Sequence, residues 1–176
     1  GLEPERLEGT VLDGRFEIEK LLGRGGMGAV YRARQIAIGR VVAIKIIIPG
    51  ESIPKTLEER FFREARVMSG LSHANIVQLY DFGENQNLVY LVMELVKGEL
   101  VSSLLKRGRF SPPLVREIAY QVASGLIEAH SKGVVHRDLK PGNILMAVGP
   151  DGRLRVKIFD FGIAYPRESD VKITKT

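Results

Sequence analysis

Within the eight residues His136-Arg137-Asp138-Leu139-Lys140-Pro141-Gly142-Asn143, a carboxylate, an ammonium and a side-chain amide fall on one short stretch of chain. Asp138 can take a proton from an attacking hydroxyl, and Lys140 can offset negative charge on a group in flight. Asn143 can offer an amide oxygen to a hard cation. Such a set suits phosphoryl transfer, where positioning and charge neutralisation do most of the catalytic work.

Three further constellations could act with it. Gly23-Arg24-Gly25-Gly26-Met27-Gly28-Ala29-Val30 has the spacing G-x-G-x-x-G-x-V, in which glycines let backbone amides close over phosphates without side-chain clash. The same glycine spacing serves dinucleotide-binding domains, but there it opens a helix, whereas the strand-like run Ala29 to Ala33 follows here. An ordinary flexible hairpin is the plain alternative. Val42-Ala43-Ile44-Lys45 sets one lysine in a hydrophobic strand, either as a functional cation or on a solvated edge. Glu64 lies one turn beyond Phe61 and one before Met68, beside the apolar stripe Leu57, Ala65 and Leu71, so it is expected to point inward while Arg60, Arg63 and Arg66 face water. It is the acid best placed to meet Lys45, and breaking such a pair, if buried, costs about 3–5 kcal/mol. Asp160-Phe161-Gly162 adds a carboxylate; read alone, it is a solvated turn.

The elements that must hold these residues are legible from pattern. Phe16 to Leu22, Ala29 to Ala33 and Val41 to Ile48 read as three antiparallel strands, with two more near Ile76 to Phe82 and Leu88 to Glu94. Thr56-Leu57-Glu58-Glu59 reads as a capping box opening a helix from Leu57 to about Leu71. Gly98 is expected to relax the chain at the end of a first lobe. A short helix from Val101 to about Lys106 follows, then a longer one capped by Ser111, with Pro112 and Pro113 in its first turn, running to His130 and stopped at Gly133. Ile144 to Val148 and Leu154 to Phe159 flank Gly149-Pro150-Asp151-Gly152 as a β-hairpin.

In this order the motifs resemble those of protein kinases: the glycine loop, V-A-I-K, the catalytic loop H-R-D-L-x-x-x-N and D-F-G. Leu12-Asp13-Gly14-Arg15-Phe16 followed by LLGRGGMGAVYRA is similar to bacterial-type, eukaryotic-like serine/threonine kinases. The resemblance implies an α+β, two-lobed kinase-like fold, with an N-terminal antiparallel five-stranded sheet carrying one helix and a partial, mainly helical C-terminal lobe. It implies an N-terminal extension over 1–15, an N-lobe over 16–97 and a partial C-lobe over 98–176, ending in the activation loop.

The same resemblance implies magnesium-dependent transfer of the ATP γ-phosphoryl group to Ser/Thr hydroxyls of a protein substrate. Asp138 is then the base and Lys140 the stabilising cation. Lys45 holds the α- and β-phosphates and pairs with Glu64, and Asn143 and Asp160 bind Mg2+. Leu22, Gly23, Gly25 and Gly28 belong to the glycine loop over ATP. Val30, Ala43 and Leu145 look like the adenine sandwich, and Met93 stands at the gatekeeper position before the hinge Glu94-Leu95-Val96. Met68, Leu79, His136 and Phe161 resemble the stacked regulatory spine. Lys140 followed by Pro141 resembles the serine/threonine class. Arg137 resembles the arginine of kinases controlled by activation-loop phosphorylation, with Ser169, Thr174 and Thr176 as acceptors.

Composition narrows the class. At 176 residues the chain can bury roughly 70% of its extended surface. With 44% hydrophobic and 27% charged residues it is globular rather than disordered. Its formal net charge of +5 is spread among acidic residues with no basic block, which argues against nucleic acid as a partner. The absence of cysteine excludes disulfides and thiolate metal sites and is in keeping with the cytoplasm. No apolar stretch is long enough to span a bilayer, and no signal peptide is expected. Gly1 in place of Met suggests an excerpt of a longer chain. The family's anchor after the activation segment and its further helices have no counterpart before Thr176. Self-association for autophosphorylation is a further expectation, and the competing reading is a non-catalytic ATP-binding or scaffold module.

Overall fold

The computed structural model describes residues 6–25, 28–47, 55–85 and 88–161. They form two compact units: residues up to Ser69 with Leu79–Leu95, and Gly70–Gln78 with the chain from Val96 onward.

The first unit is an antiparallel sheet with one helix. Its strands are β1 (Val11–Leu12), β2 (Phe16–Gly25), β3 (Gly28–Gln35), β4 (Arg40–Ile47), β5 (Leu79–Asn85) and β6 (Leu88–Glu94), in the order β1-β2-β3-β4-β6-β5. Helix α1 (Lys55–Ser69) lies between β4 and β5 in sequence. The five expected strands are present, joined by β1, a two-residue strand from the expected extension. Alternation along β4 sends Val42, Ile44 and Ile46 to one face, where they join Leu7, Leu12, Phe16, Ile18, Tyr31, Tyr90 and Val92 in one buried cluster. Full burial of each such aliphatic side chain contributes about 1.5–3 kcal/mol. Leu7 and Leu12 therefore bind residues of the expected extension to the sheet's core. Tyr90 completes the link by donating its hydroxyl to Asp13 Oδ2 at 2.7 Å, and burial with this bond raises the phenol's pKa.

Two boundaries differ from expectation. Helix α1 already includes Lys55, so Thr56 lies inside its first turn; the side chain on which the expected capping box rests is outside the described residues. Strand β5 starts at Leu79 rather than near Ile76, because Ile76 instead bridges in parallel to Ile158 of the second unit's last strand. Both Ile76 and Ile158 are buried there.

The second unit contains β7 (Glu99–Leu100), α2 (Val101–Arg107), α3 (Pro112–Ser131), a 3-10 turn at Pro141–Asn143, β8 (Ile144–Val148) and β9 (Leu154–Ile158). Its sheet order is β7-β8-β9, with the expected β8–β9 hairpin. Gly98 does not loosen the chain: a Cβ there would press on the Met146 carbonyl at 2.5 Å, so glycine lets β7 approach β8. Ser111 sits at the N-cap of α3 but its hydroxyl makes no capping bond. Pro113, at N2, removes one of the two first-turn N–H groups a cap would serve. The other end follows expectation as a Schellman motif, with Gly133 at φ 73° and its N–H on the His130 carbonyl at 2.9 Å, while Val134 N–H reaches Ala129 O at 2.9 Å.

Candidate active site

In the first unit the expected nucleotide-side residues are ordered by strand register. Val30 and Leu91 flank Lys45 across β3 and β6, and Met93 lies opposite Ala43. Since Ala43 and Lys45 are two apart, they share the sheet face opposite that of Val42, Ile44 and Ile46. Lys45 and Ala43 are buried, Val30, Met93 and Glu94 half-buried and Leu22 exposed.

Gly25 and Gly28 pair at the end of the β2–β3 hairpin, while Gly23 pairs with Val30. Gly28 has φ 132°, and a Cβ there would overlap the Ile46 carbonyl of β4. The last glycine of the motif is thus required by its own sheet, apart from any phosphate. On α1, Glu64 is half-buried between the buried Phe61, Ala65 and Met68. Arg60 is exposed as expected, yet its Nε donates to Glu64 Oε1 at 3.1 Å, so the acid holds a cation that sequence reading left to solvent.

In the second unit the loop from His136 to Asn143 is built by polar bonds. Lys140 Nζ donates to Asp138 Oδ2 at 2.7 Å, and Asn143 Nδ2 donates to Asp138 O at 2.8 Å and to Oδ2 at 3.3 Å. Lys140, and to a lesser extent Asn143, hold the exposed Asp138 carboxyl below the usual carboxylate range. It is an exposed anion at neutral pH. His136 is buried; its Nδ1 accepts the Asp138 N–H at 3.3 Å, and its Nε2 lies 2.8 Å from Phe159 O. A carbonyl can only accept, so Nε2 is the donor to Phe159 O, and Nδ1 faces the Asp138 N–H. Its ring also packs on Phe161 with centroids 4.7 Å apart. His136 thus braces the loop, as the structural role expected of it requires.

Phe159 was not singled out from the sequence, yet its backbone joins the two halves of the loop. Its N–H donates to Asn143 O at 3.1 Å while its carbonyl meets His136. Asp160 follows at once, so this peptide hands one candidate metal ligand to the other. Arg137 and Asp160 adopt φ of 65° and 54°, a region costly for residues with a side chain and concentrated at functional sites.

The donor chemistry of this unit fits magnesium. Asn143 is buried and spends its amide N–H groups on Asp138, leaving Oδ1 without a hydrogen bond among the described residues. One such oxygen with the Asp160 carboxylate suits Mg2+, which keeps several waters and takes further oxygens from phosphates. Among the described residues no cluster of three or more His, Asp or Glu forms an all-protein metal cage. Val96 and Leu145, both half-buried, also belong to this unit. Gly162, Ser169, Thr174 and Thr176 lie outside the described residues. Among the described residues no helix is long and apolar enough to cross a membrane.

Comparison with known proteins agrees with this arrangement. The family model "Protein kinase domain" matches residues 16–176. The serine/threonine-protein kinase pkn2 of Myxococcus xanthus is 41% identical over 96% of this chain and 20% of its own length. The serine/threonine-protein kinase PknA of Mycobacterium tuberculosis is 44% identical over 89% of this chain and 37% of its own. The chain therefore spans less than two fifths of the length of these curated relatives. The crystal structure of the Mycobacterium tuberculosis PknI kinase domain superposes with a TM-score of 0.78 at 28% identity, over 93% of this chain and 64% of that one. Motifs, strand order and relatives coincide, and the chain belongs to the protein kinase family, similar to its bacterial serine/threonine members.

Proposed function

We propose that this chain is catalytic machinery of a cytoplasmic serine/threonine protein kinase that moves the γ-phosphoryl group of ATP, with magnesium, to Ser or Thr hydroxyls of a protein. The observation that carries this reading is the exposed Asp138 carboxylate, held anionic by Lys140 and Asn143, while Asn143 Oδ1 has no hydrogen bond among the described residues.

Asp138 takes the proton of the acceptor hydroxyl as its oxygen bonds to phosphorus and the bond to the ADP oxygen breaks. Lys140 leaves Asp138 to meet charge on the moving group. Asn143 and Asp160 would hold magnesium, which when bound neutralises charge on the phosphate oxygens. Lys45, oriented by Glu64, would hold the α- and β-phosphates. Gly23, Gly25 and Gly28 would close over them. Leu22, Val30, Ala43 and Leu145 would enclose adenine, with Met93 behind it and Glu94 and Val96 along its edge. The acceptor is a protein rather than a nucleic acid, with a second copy of the chain among the candidates.

The test is transfer of label from γ-labelled ATP with magnesium, to the full chain and to a generic basic protein. Asp138→Asn is expected to keep nucleotide binding and to lower the rate about a hundredfold or more. An unchanged rate would remove Asp138 as the base. ATP binding with no transfer in the unaltered chain would favour the scaffold reading.

A further inference from the structure

Strand β9 ends two residues before Asp160, so whatever fixes its edges fixes the start of that segment. One edge pairs with β8 and, beyond it, with Asn143 through the Phe159 N–H. Among the described residues the other edge has no strand along its length, yet its backbone groups are satisfied in sequence. Gln121 Nε2 donates to Leu154 O at 3.1 Å, and Gln121 Oε1 accepts the Val156 N–H at 2.8 Å. Asn75 Nδ2 then donates to Val156 O at 2.8 Å. Asn75 O accepts the Ile158 N–H at 2.9 Å, and the Val77 N–H reaches Ile158 O at 2.8 Å.

Two amide side chains thus take the place of a neighbouring strand at Leu154 and Val156, and the 75–77 backbone continues the ladder at Ile158. The two amides are themselves joined, Asn75 Nδ2 to Gln121 Oε1 at 2.9 Å, and Glu117 Oε1 takes the second proton of Gln121 at 2.7 Å. Every donor and acceptor of the Gln121 amide is used, which selects one rotamer and one register for β9. Gln121 also stands on the stripe of α3 otherwise formed by the buried Ile118, Val122, Gly125 and Ala129. A polar residue on an apolar stripe is the sequence signal that could have found it. Its partner Asn75 lies 46 positions away, in the connection between α1 and β5.

We infer that Asn75 and Gln121 are positioning residues for Asp160: they clamp the free edge of β9 and so hold the aspartate beside Asn143. The inference rests on the kinase reading for Asp160's role, while the clamp itself can be measured without turnover. Gln121→Met keeps the length of the side chain and loses all four hydrogen bonds. In the full chain it is expected to speed amide exchange at Val156 and Ile158 and to raise the magnesium concentration for half-maximal transfer about tenfold, the usual scale for residues that orient metal ligands. Gln121→Glu keeps an acceptor for Val156 N–H and is expected to recover part of the shift. Mn2+ binding in the presence of a non-hydrolysable ATP analogue follows the same order and requires no transfer.

Unchanged metal midpoints in folded Gln121→Met would overturn the inference, as would a loss of stability alone with Mn2+ affinity intact. If Gln121→Met does not fold, Gln121→Glu and Asn75→Asp supply the same comparison, and unchanged Mn2+ affinity in both overturns it. Absence of transfer in the unaltered chain, with Mn2+ affinity still dependent on Gln121, would sink the kinase reading and leave the clamp standing.

Discussion

Lys45 and Ala43 in the first unit are placed by cross-strand register and by the apolar residues that alternate with them, whereas Asp138 and Asn143 in the second are placed by hydrogen bonds. On β4, the buried Val42, Ile44 and Ile46 lock the strand, and the face of Ala43 and Lys45 follows automatically because side chains alternate. In the loop nothing alternates. His136, Lys140, Asn143 and the Phe159 peptide each supply directional bonds, and Arg137 and Asp160 occupy left-handed backbone. Apolar burial tolerates small shifts, while a hydrogen-bonded loop loses its geometry when one partner goes. The second unit should therefore couple small stability losses to large functional ones.

The largest stability effect is expected where burial dominates. Ile44→Ala should cost about 2–5 kcal/mol in denaturant unfolding, with turnover per folded molecule little changed. A matching fall in turnover would break the contrast between the units.

His136→Phe keeps a ring against Phe161 but leaves Phe159 O and the Asp138 N–H without their partner. It is expected to cost about 1–3 kcal/mol, less than Ile44→Ala, and yet to reduce turnover per folded molecule more. Equal turnover in a folded His136→Phe would show that the loop does not depend on these bonds.

The smallest effect sharpens the comparison by pH. Lys140 is the main cause of the lowered Asp138 pKa, so Lys140→Met should move the acid limb of the pH–rate profile upward, towards the ordinary carboxylate range. The sign follows because removing a cation makes protonation easier. Stability linked to this carboxyl is present above the unfolded pKa and is lost as pH falls through the lower folded value, and full exposure keeps it small. An acid limb that stays in place in Lys140→Met would show that another group sets it.

Much of the architecture was legible because it is local. Alternation announces β2, a run rich in β-branched residues announces β4, Gly149 to Gly152 announce the β8–β9 turn, and Gly133 announces the end of α3. The loop His136 to Asn143 was legible because its residue types stand close together in sequence. Ser111 stands at the N-cap of α3 as expected but makes no side-chain capping bond, since the proline that favours a helix start at N2 also deletes one of the two donors a cap serves. Gly98 was read as a source of slack, since its closeness to Met146 depends on a partner far along the chain. Ile76 was read into β5 because β-branched residues announce a strand without naming its neighbour.

By itself, then, the sequence determined the longer strands, the helices and the chemistry available on one loop, since periodicity, turn residues and short motifs act over a few positions. Tertiary structure alone decided that Leu7 and Leu12 join the sheet's core, that the Phe159 peptide ties Asp160 to Asn143, and that Asn75 and Gln121 complete the edge of β9. Those choices depend on which backbone groups are left unpaired once the chain has collapsed, and a buried N–H or carbonyl takes whichever partner the fold brings to it.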